Sequence, residues 1–142
     1  MDDDLIKAII AALLADSVVA GFVTDRVYPA AQVTPSDPFP RGYVGQVRSP
    51  IADQWSEGGT YLTRYPLFSI EWATTNAQSI TAQQDVETLD ARAFALLRGL
   101  AATNVIYLQR HTTIPAHVQT DANLEFVTAG GLWIARREYD YS

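Results

Sequence analysis

From Thr81 onward Val86, Leu89, Ala93, Leu96, Leu97 and Leu100 recur at helical spacing, while the stretches on either side alternate apolar and polar residues. Spacing of three and four lines one face of a helix, and alternation lines one face of a strand. One long helix between two blocks of alternating segments, with no repeated strand–helix–strand pattern, confines the chain to the α+β class. The helix is expected from Thr81 to Gly99, about 28 Å at about 1.5 Å per residue, long enough to cross a sheet. Thr81-Ala82-Gln83-Gln84 fits a capping box. Asp85, Glu87 and Asp90 then precede Arg92 and Arg98, each sign toward the end of the helix dipole that favours it.

A second helix is expected at the start, where Leu5, Ile6, Ile9, Ile10, Leu13 and Leu14 form one stripe and Asp2 to Asp4 cap its positive end. It should stop near Asp16-Ser17, with Val18 to Val23 as a short apolar packing segment. Pro29, Pro35, Pro38 and Pro40 predict an extended surface loop over residues 29–42. Tyr43 to Arg48 reads as a strand and Thr60 to Ala73 as a longer one, with Phe68, Ile70 and Trp72 on one face and Ser69 and Glu71 on the other. Pro66 implies an edge or a bulge there, and Gln54 to Gly59 lies in the hairpin connection between the two. Three strands are expected in the last third, around Val105 to Arg110, Leu124 to Thr128 and Leu132 to Tyr139, with Gly130-Gly131 turning a hairpin between the last two. The expected order is α-β-β-α-β-β(-β): a mainly antiparallel sheet packed against two helices in a single domain spanning residues 1–142.

Leu, Ile, Val and Phe supply 37 of the 142 residues, enough for a packed core. The absence of cysteine removes disulfides, thiolate nucleophiles and Cys-based metal sites. A net charge of -6 argues against wrapping nucleic acid. No apolar run approaches the length of a membrane-spanning helix, and the acidic start is unlike a secretory signal, so a soluble cytosolic chain with no membrane contact is expected. His111 and His117 flank Pro115 without carboxylates at metal spacing, and no phosphate loop or nucleophile elbow occurs. Glu71 is the sole carboxylate in an apolar strand, and a solvated sheet face explains it more simply than acid catalysis. The expectation is therefore a non-enzyme with no catalytic residue, no metal and no cofactor.

Charged residues make up only 18% of the chain and aromatics 11%, which leaves a surface poor in charge and suggests buried subunit interfaces. Nine Arg to one Lys agrees with that, although a GC-rich genome produces the same bias. Interface hot spots favour Trp, Tyr and Arg. The contact candidates are Phe39 in the proline loop, Trp55 and Tyr61 at the first hairpin, and Arg136, Arg137, Tyr139 and Tyr141 on the last strand. Trp72 and Trp133 are expected in the core.

The order of these features resembles the tail-completion or tail-terminator proteins of long-tailed bacteriophages, also grouped as minor head-tail joining proteins. The N-terminal helix ending in Ala15-Asp16 leads to Thr24-Asp25-Arg26-Val27-Tyr28-Pro29, which looks like that family's Asp-Arg-Val-Tyr-Pro element. Phe39-Pro40 and Tyr43-Val44-Gly45-Gln46-Val47 stand in place of its Pro-Tyr strand. Gly58-Gly59 and Phe68-Ser69-Ile70-Glu71-Trp72-Ala73 resemble its hairpin and its strand ending in Trp-Ala, and a long helix follows. Tyr65-Pro66 and the length of the stretch from His111 to Asn123 depart from the pattern. The resemblance implies a small α+β subunit that assembles into a hexameric ring in the tail-neck region of the virion, after assembly in the host cytoplasm. Such a ring caps the head-proximal end of the tail tube, ends tube polymerisation and docks the tail on the DNA-filled head. Its partners would be further copies of itself, the tube protein and a head-tail connector or stopper, with genome DNA passing through the lumen unbound. A head-side adaptor or stopper and, from another class, a small ligand-binding α+β domain are the alternatives.

Overall fold

The computed structural model describes residues 2–32, 38–75, 80–121 and 124–142. Helix α1, Asp3–Leu14, buries Leu5, Ile9 and Leu13, the stripe its spacing dictates. The segment after it is a second short helix, α2, Ser17–Val23, where a packing segment of undefined conformation was expected. Asp16 caps α2 by accepting a hydrogen bond from the Val19 amide at 3.2 Å, and the two helices meet at 92°. No single helix among the described residues is long and apolar enough to cross a membrane.

Strand β1, Val27–Pro29, runs parallel to β2, Arg41–Val47, and β2 pairs antiparallel with β5, Leu67–Thr74. Part of the expected proline loop, residues 33–37, lies outside the described residues. Its ends are more ordered than a loop: Pro29 closes β1, a single 3-10 turn covers Ala30–Gln32, and β2 opens at Arg41. Between β2 and β5 comes a hairpin of β3, Gln54–Trp55, and β4, Tyr61–Arg64. Gly58 and Gly59 turn it with φ of 89° and 73°, a conformation that side chains rarely adopt. Helix α3, Ile80–Leu97, opens one residue ahead of its expected start and so takes Thr81 into its first turn.

The last third departs most from expectation. Two strands of 17 residues each, β6 (Val105–Asp121) and β7 (Leu124–Asp140), replace three shorter ones. Gly130 and Gly131 do not turn; they sit inside β7, paired with Ile114 and Thr113 of β6 on one side and with Glu71 and Ile70 of β5 on the other. A Cβ on Gly130 would run into the Ile70 carbonyl oxygen and lie 2.8 Å from the Glu71 Cα, and one on Gly131 would lie 2.6 Å from the Thr112 oxygen. The glycines serve close approach of three backbones rather than positive φ.

Since β6 takes one edge of β7, β4 and β5 succeed each other along the opposite edge. The break between them falls at Tyr65-Pro66, where the Ala135 amide donates to the Pro66 carbonyl at 3.0 Å. All pairings except β1–β2 are antiparallel. The three helices pack on one face, where Phe68, Ile70 and Trp72 of β5 and Trp133 and Ala135 of β7 share a core with Leu5, Ile9, Val86, Leu89 and Leu97. Both Trp72 and Trp133 are fully buried there. The architecture is α+β, as the pattern of spacings predicts.

Arginine pairs fasten the layers. Arg92 holds the α2 cap Asp16 from α3 at 2.7 and 3.0 Å, and Arg110 of β6 grips Asp90 of α3 at 2.7 and 3.2 Å. The arginine bias thus has a third explanation beyond interfaces and genome composition: planar bidentate pairing with aspartate inside the protomer.

Candidate assembly surface

Register places the sequence-derived contact residues in three different settings. Trp55 pairs with Leu62, and Leu62 with Tyr139, so these three side chains share the helix-side face of the sheet. Leu62 is buried at its base. The Trp55 ring lies 5.9 Å from Tyr141, and Tyr141 stacks on Tyr139 at 6.2 Å. The Tyr141 amide donates to the Thr60 carbonyl at 2.8 Å and fixes the last aromatic against the hairpin. Trp55 is 58% exposed and Tyr141 61%, a contiguous aromatic surface of the kind that marks contact sites. Tyr61, 51% exposed, belongs to the same end of the sheet but pairs with Asp140 and points to the opposite face. On that face Arg136 is half-buried and bonded to Glu138 at 2.7 Å.

Phe39 is separate from this end. Its ring packs 5.8 Å from Phe126, and the Arg41 guanidinium lies 4.2 Å above it. This cluster lies toward the sheet face away from the helices, since Phe126 precedes the core residue Val127 along β7 and successive side chains of a strand point to opposite faces.

Arg137 is a correction. It is 1% exposed and unavailable to a partner at the protomer surface. Its Nη1 donates to Asp2 at 3.1 Å and to Asp4 at 3.0 Å, and its Nη2 donates to Asp4 at 2.7 Å and to the Thr103 carbonyl at 2.9 Å. Asp2, also fully buried, accepts further bonds from Arg64 at 3.0 and 3.2 Å and from Gln46 at 2.9 Å. The expected capping role falls away for Asp2, whose side chain makes no cap hydrogen bond. Asp2 and Asp4 hold cations instead, because a guanidinium stays charged when buried and needs paired carboxylates to offset its desolvation. Arg137 holds the Asp4 carboxyl at about 2, chiefly through that hydrogen bond.

Sequence reasoning missed this network, and also Leu62 beneath the aromatic surface and the exposed Ile106 and Val118 of β6. Leu62 had a signal in its alternation with Tyr61 and Thr63; a contact between residues 2 and 137 has none in local spacing. Of the polar residues weighed for chemistry, Glu71 accepts a 2.6 Å hydrogen bond from the Tyr43 hydroxyl, and burial pushes the Tyr43 phenol well above its usual range. His117 lies in β6, with Nε2 3.3 Å from the Thr128 hydroxyl and 3.0 Å from the Gln119 amide. Elsewhere a groove of about 540 Å³ opens between α1 and β2, lined by Ile6, Lys7, Pro29, Ala30, Val44 and Gln46.

Fold and surface together define an α+β chain with an aromatic cluster at one end of its sheet. No protein-family model matches the chain, and no curated protein matches it. Among solved structures, a chain of the virion of the native gene transfer agent (GTA) particle has the same fold: TM-score 0.64, 22% identity, 96% of each chain covered.

Proposed function

We propose that this chain is a structural virion protein, and within that class a tail terminator: a one-domain subunit of a ring, about six-fold, that caps the head-proximal end of a phage tail tube. The observation that carries the proposal is the whole-chain fold likeness to a virion chain, 96% in both directions. The tail-terminator landmarks, from Asp25-Arg26-Val27-Tyr28-Pro29 to Glu71-Trp72-Ala73, fall at the start of the edge strand β1 and at the end of β5, which lies between β2 and β7. The exposed aromatic end supports contact with neighbours. The net charge of -6 suits a lumen through which DNA slides without adhering. In this reading the work is done by protein contacts and not by catalysis, in the tail-neck region of the virion.

Native mass spectrometry of the purified protein, followed by electron microscopy of tail tubes polymerised with and without it, tests the proposal. A ring that binds one tube end and halts elongation supports it. A ring that binds the head connector and leaves tube growth untouched identifies a head-side adaptor or stopper instead. A strict monomer inert toward both removes the structural reading.

A further inference from the structure

Two edges of the sheet are open. Among the described residues β6 is paired on one side only, by β7, and β3 on one side only, by β4. Because β4 and β6 hold opposite edges of β7, these open edges look away from each other across the sheet. An open edge presents unpaired amides and carbonyls that another strand satisfies, and charges commonly guard it. The edge of β6 lacks that guard: Arg110 is the sole Asp, Glu, Lys or Arg in residues 105–120, and it turns to Asp90 of α3. Register shifts around His111 and at Pro115-Ala116 isolate residues 112–114 as a straight piece, room for a short strand and not for open-ended sheet growth. Beside this piece lies a groove of about 380 Å³ between β6 and α3, lined by Ala91 and Phe94 of the helix and by Ile114, Pro115 and Ala116 of the strand. Phe94 is 40% exposed there. Clefts of about 300 Å³ and above take sizeable apolar groups. The groove opens on the helix side of the sheet, the side on which Trp55 of β3 also lies.

Resting on the reading of the chain as a ring subunit, we infer that copies join head to tail by strand addition, β3 of one copy against residues 112–114 of the next, with Trp55 of the first seated in the groove between β6 and α3 of the second. Three matches select a second copy as the occupant. The open edge of β3 is as short as the straight piece of β6. A sheet continued across an interface keeps its faces, so a β3 laid beside β6 turns the exposed Trp55 toward α3 and Phe94 of the neighbour. The two edges lie on opposite sides of β7, so each copy gives one strand and receives one, the heterologous arrangement that closes into a ring.

The chain carries no cysteine, so introduced thiols report without background. Gln54→Cys and Thr112→Cys both fall on the sheet face away from the helices, Gln54 opposite Thr63 and Thr112 opposite Leu132. A short bis-maleimide is expected to link the two variants, when mixed, at least tenfold more than either alone. It is expected to link a chain carrying both substitutions into a ladder that ends at the ring size. Trp55 emission, legible because Trp72 and Trp133 are buried, is expected to shift to the blue as rising concentration drives assembly. Ala91→Glu, at an exposed helix position lining the groove, is expected to raise the concentration of half-assembly at least tenfold with the circular dichroism unchanged. Trp55→Phe is expected to raise it less than Trp55→Ala. Rings that form without the link between residues 54 and 112, or that are indifferent to Ala91→Glu, overturn the inference and spare the ring reading. A chain that neither links nor assembles overturns both. Linked oligomers that neither close into rings nor cap tubes keep the inference and remove the terminator reading.

Discussion

Arg137 and Asp4 stand 133 residues apart in sequence and meet at 2.7 Å, joining the central strand of the sheet to the first turn of α1. Asp2 completes the contact from a fully buried position, so the pair is part of a network and not an isolated surface bridge.

Removing Arg137 leaves Asp2 buried with less compensation, and breaking a buried pair from one side costs about 3 kcal/mol or more. Arg137→Leu is expected to lose that much stability in urea unfolding at neutral pH. Asp4→Asn removes a carboxylate that is 59% exposed and should cost within about 1 kcal/mol. The reverse ranking would show that the network does not anchor α1.

Acid should weaken the same contact. The Arg137 guanidinium holds the Asp4 carboxyl at about 2, below the ~3.9 of an aspartate in an unfolded chain. On acidification the unfolded state takes up this proton first, so the stabilisation present above about pH 4 fades as pH falls toward 2. Asp16, lowered by Arg92, acts in the same sense. Unfolding free energies measured between pH 6 and pH 2.5 should fall less steeply in Asp4→Asn than in wild type, though they should still fall.

Trp55→Ala deletes an exposed ring from a two-residue strand, and folding stability should shift by no more than about 0.5 kcal/mol. In the proposed ring, assembly is another matter, because losing an aromatic anchor costs on the order of 2 kcal/mol at each interface and the symmetry repeats the loss. Circular dichroism and native mass spectrometry on one sample separate the two effects. A variant that assembles like wild type would remove Trp55 from the contact.

Glycines give opposite signs. Gly130→Ala forces a methyl group against the Ile70 carbonyl and should cost about 1–3 kcal/mol, since a strand bonded on both edges cannot step aside. Gly21→Ala, within α2 and with nothing within 4 Å of the added Cβ, should gain about 0.5–1 kcal/mol. Thermal unfolding of both variants checks the ordering.

What was legible in the sequence was whatever depends on neighbours along the chain. The spacing of Val86, Leu89 and Ala93 defines α3 because a helix repeats locally, and Phe68, Ile70 and Trp72 declare their common face because a strand alternates. Gly58-Gly59 and Gly130-Gly131 look alike as dipeptides. Only the first turns, since what restricts the second is the backbone of β5 and β6, remote in sequence. Likewise Trp55, Tyr61 and Tyr141 were recognisable as contact types, whereas the burial of Arg137 follows from Asp2 and Asp4, whose run suggested nothing beyond a helix cap. Helix α2 escaped because seven residues are too few to show a period, and its signal was the single capping Asp16.

The centre of the sheet is made last. A ribosome that has reached residue 121 has produced β6 with no strand beside it, and β4 and β5 with one flank each unsatisfied, until Leu124–Asp140 emerges to join all three. Asp2 and Asp4, made before every strand of the sheet, likewise have no Arg137 to bind until β7 emerges. A nascent chain therefore has no complete sheet until then, and a message cut short anywhere before β7 yields a product whose sheet stays open. The order of translation thus sets the order of closure: only chains read through the last strand bring Tyr139 and Tyr141 beside Trp55.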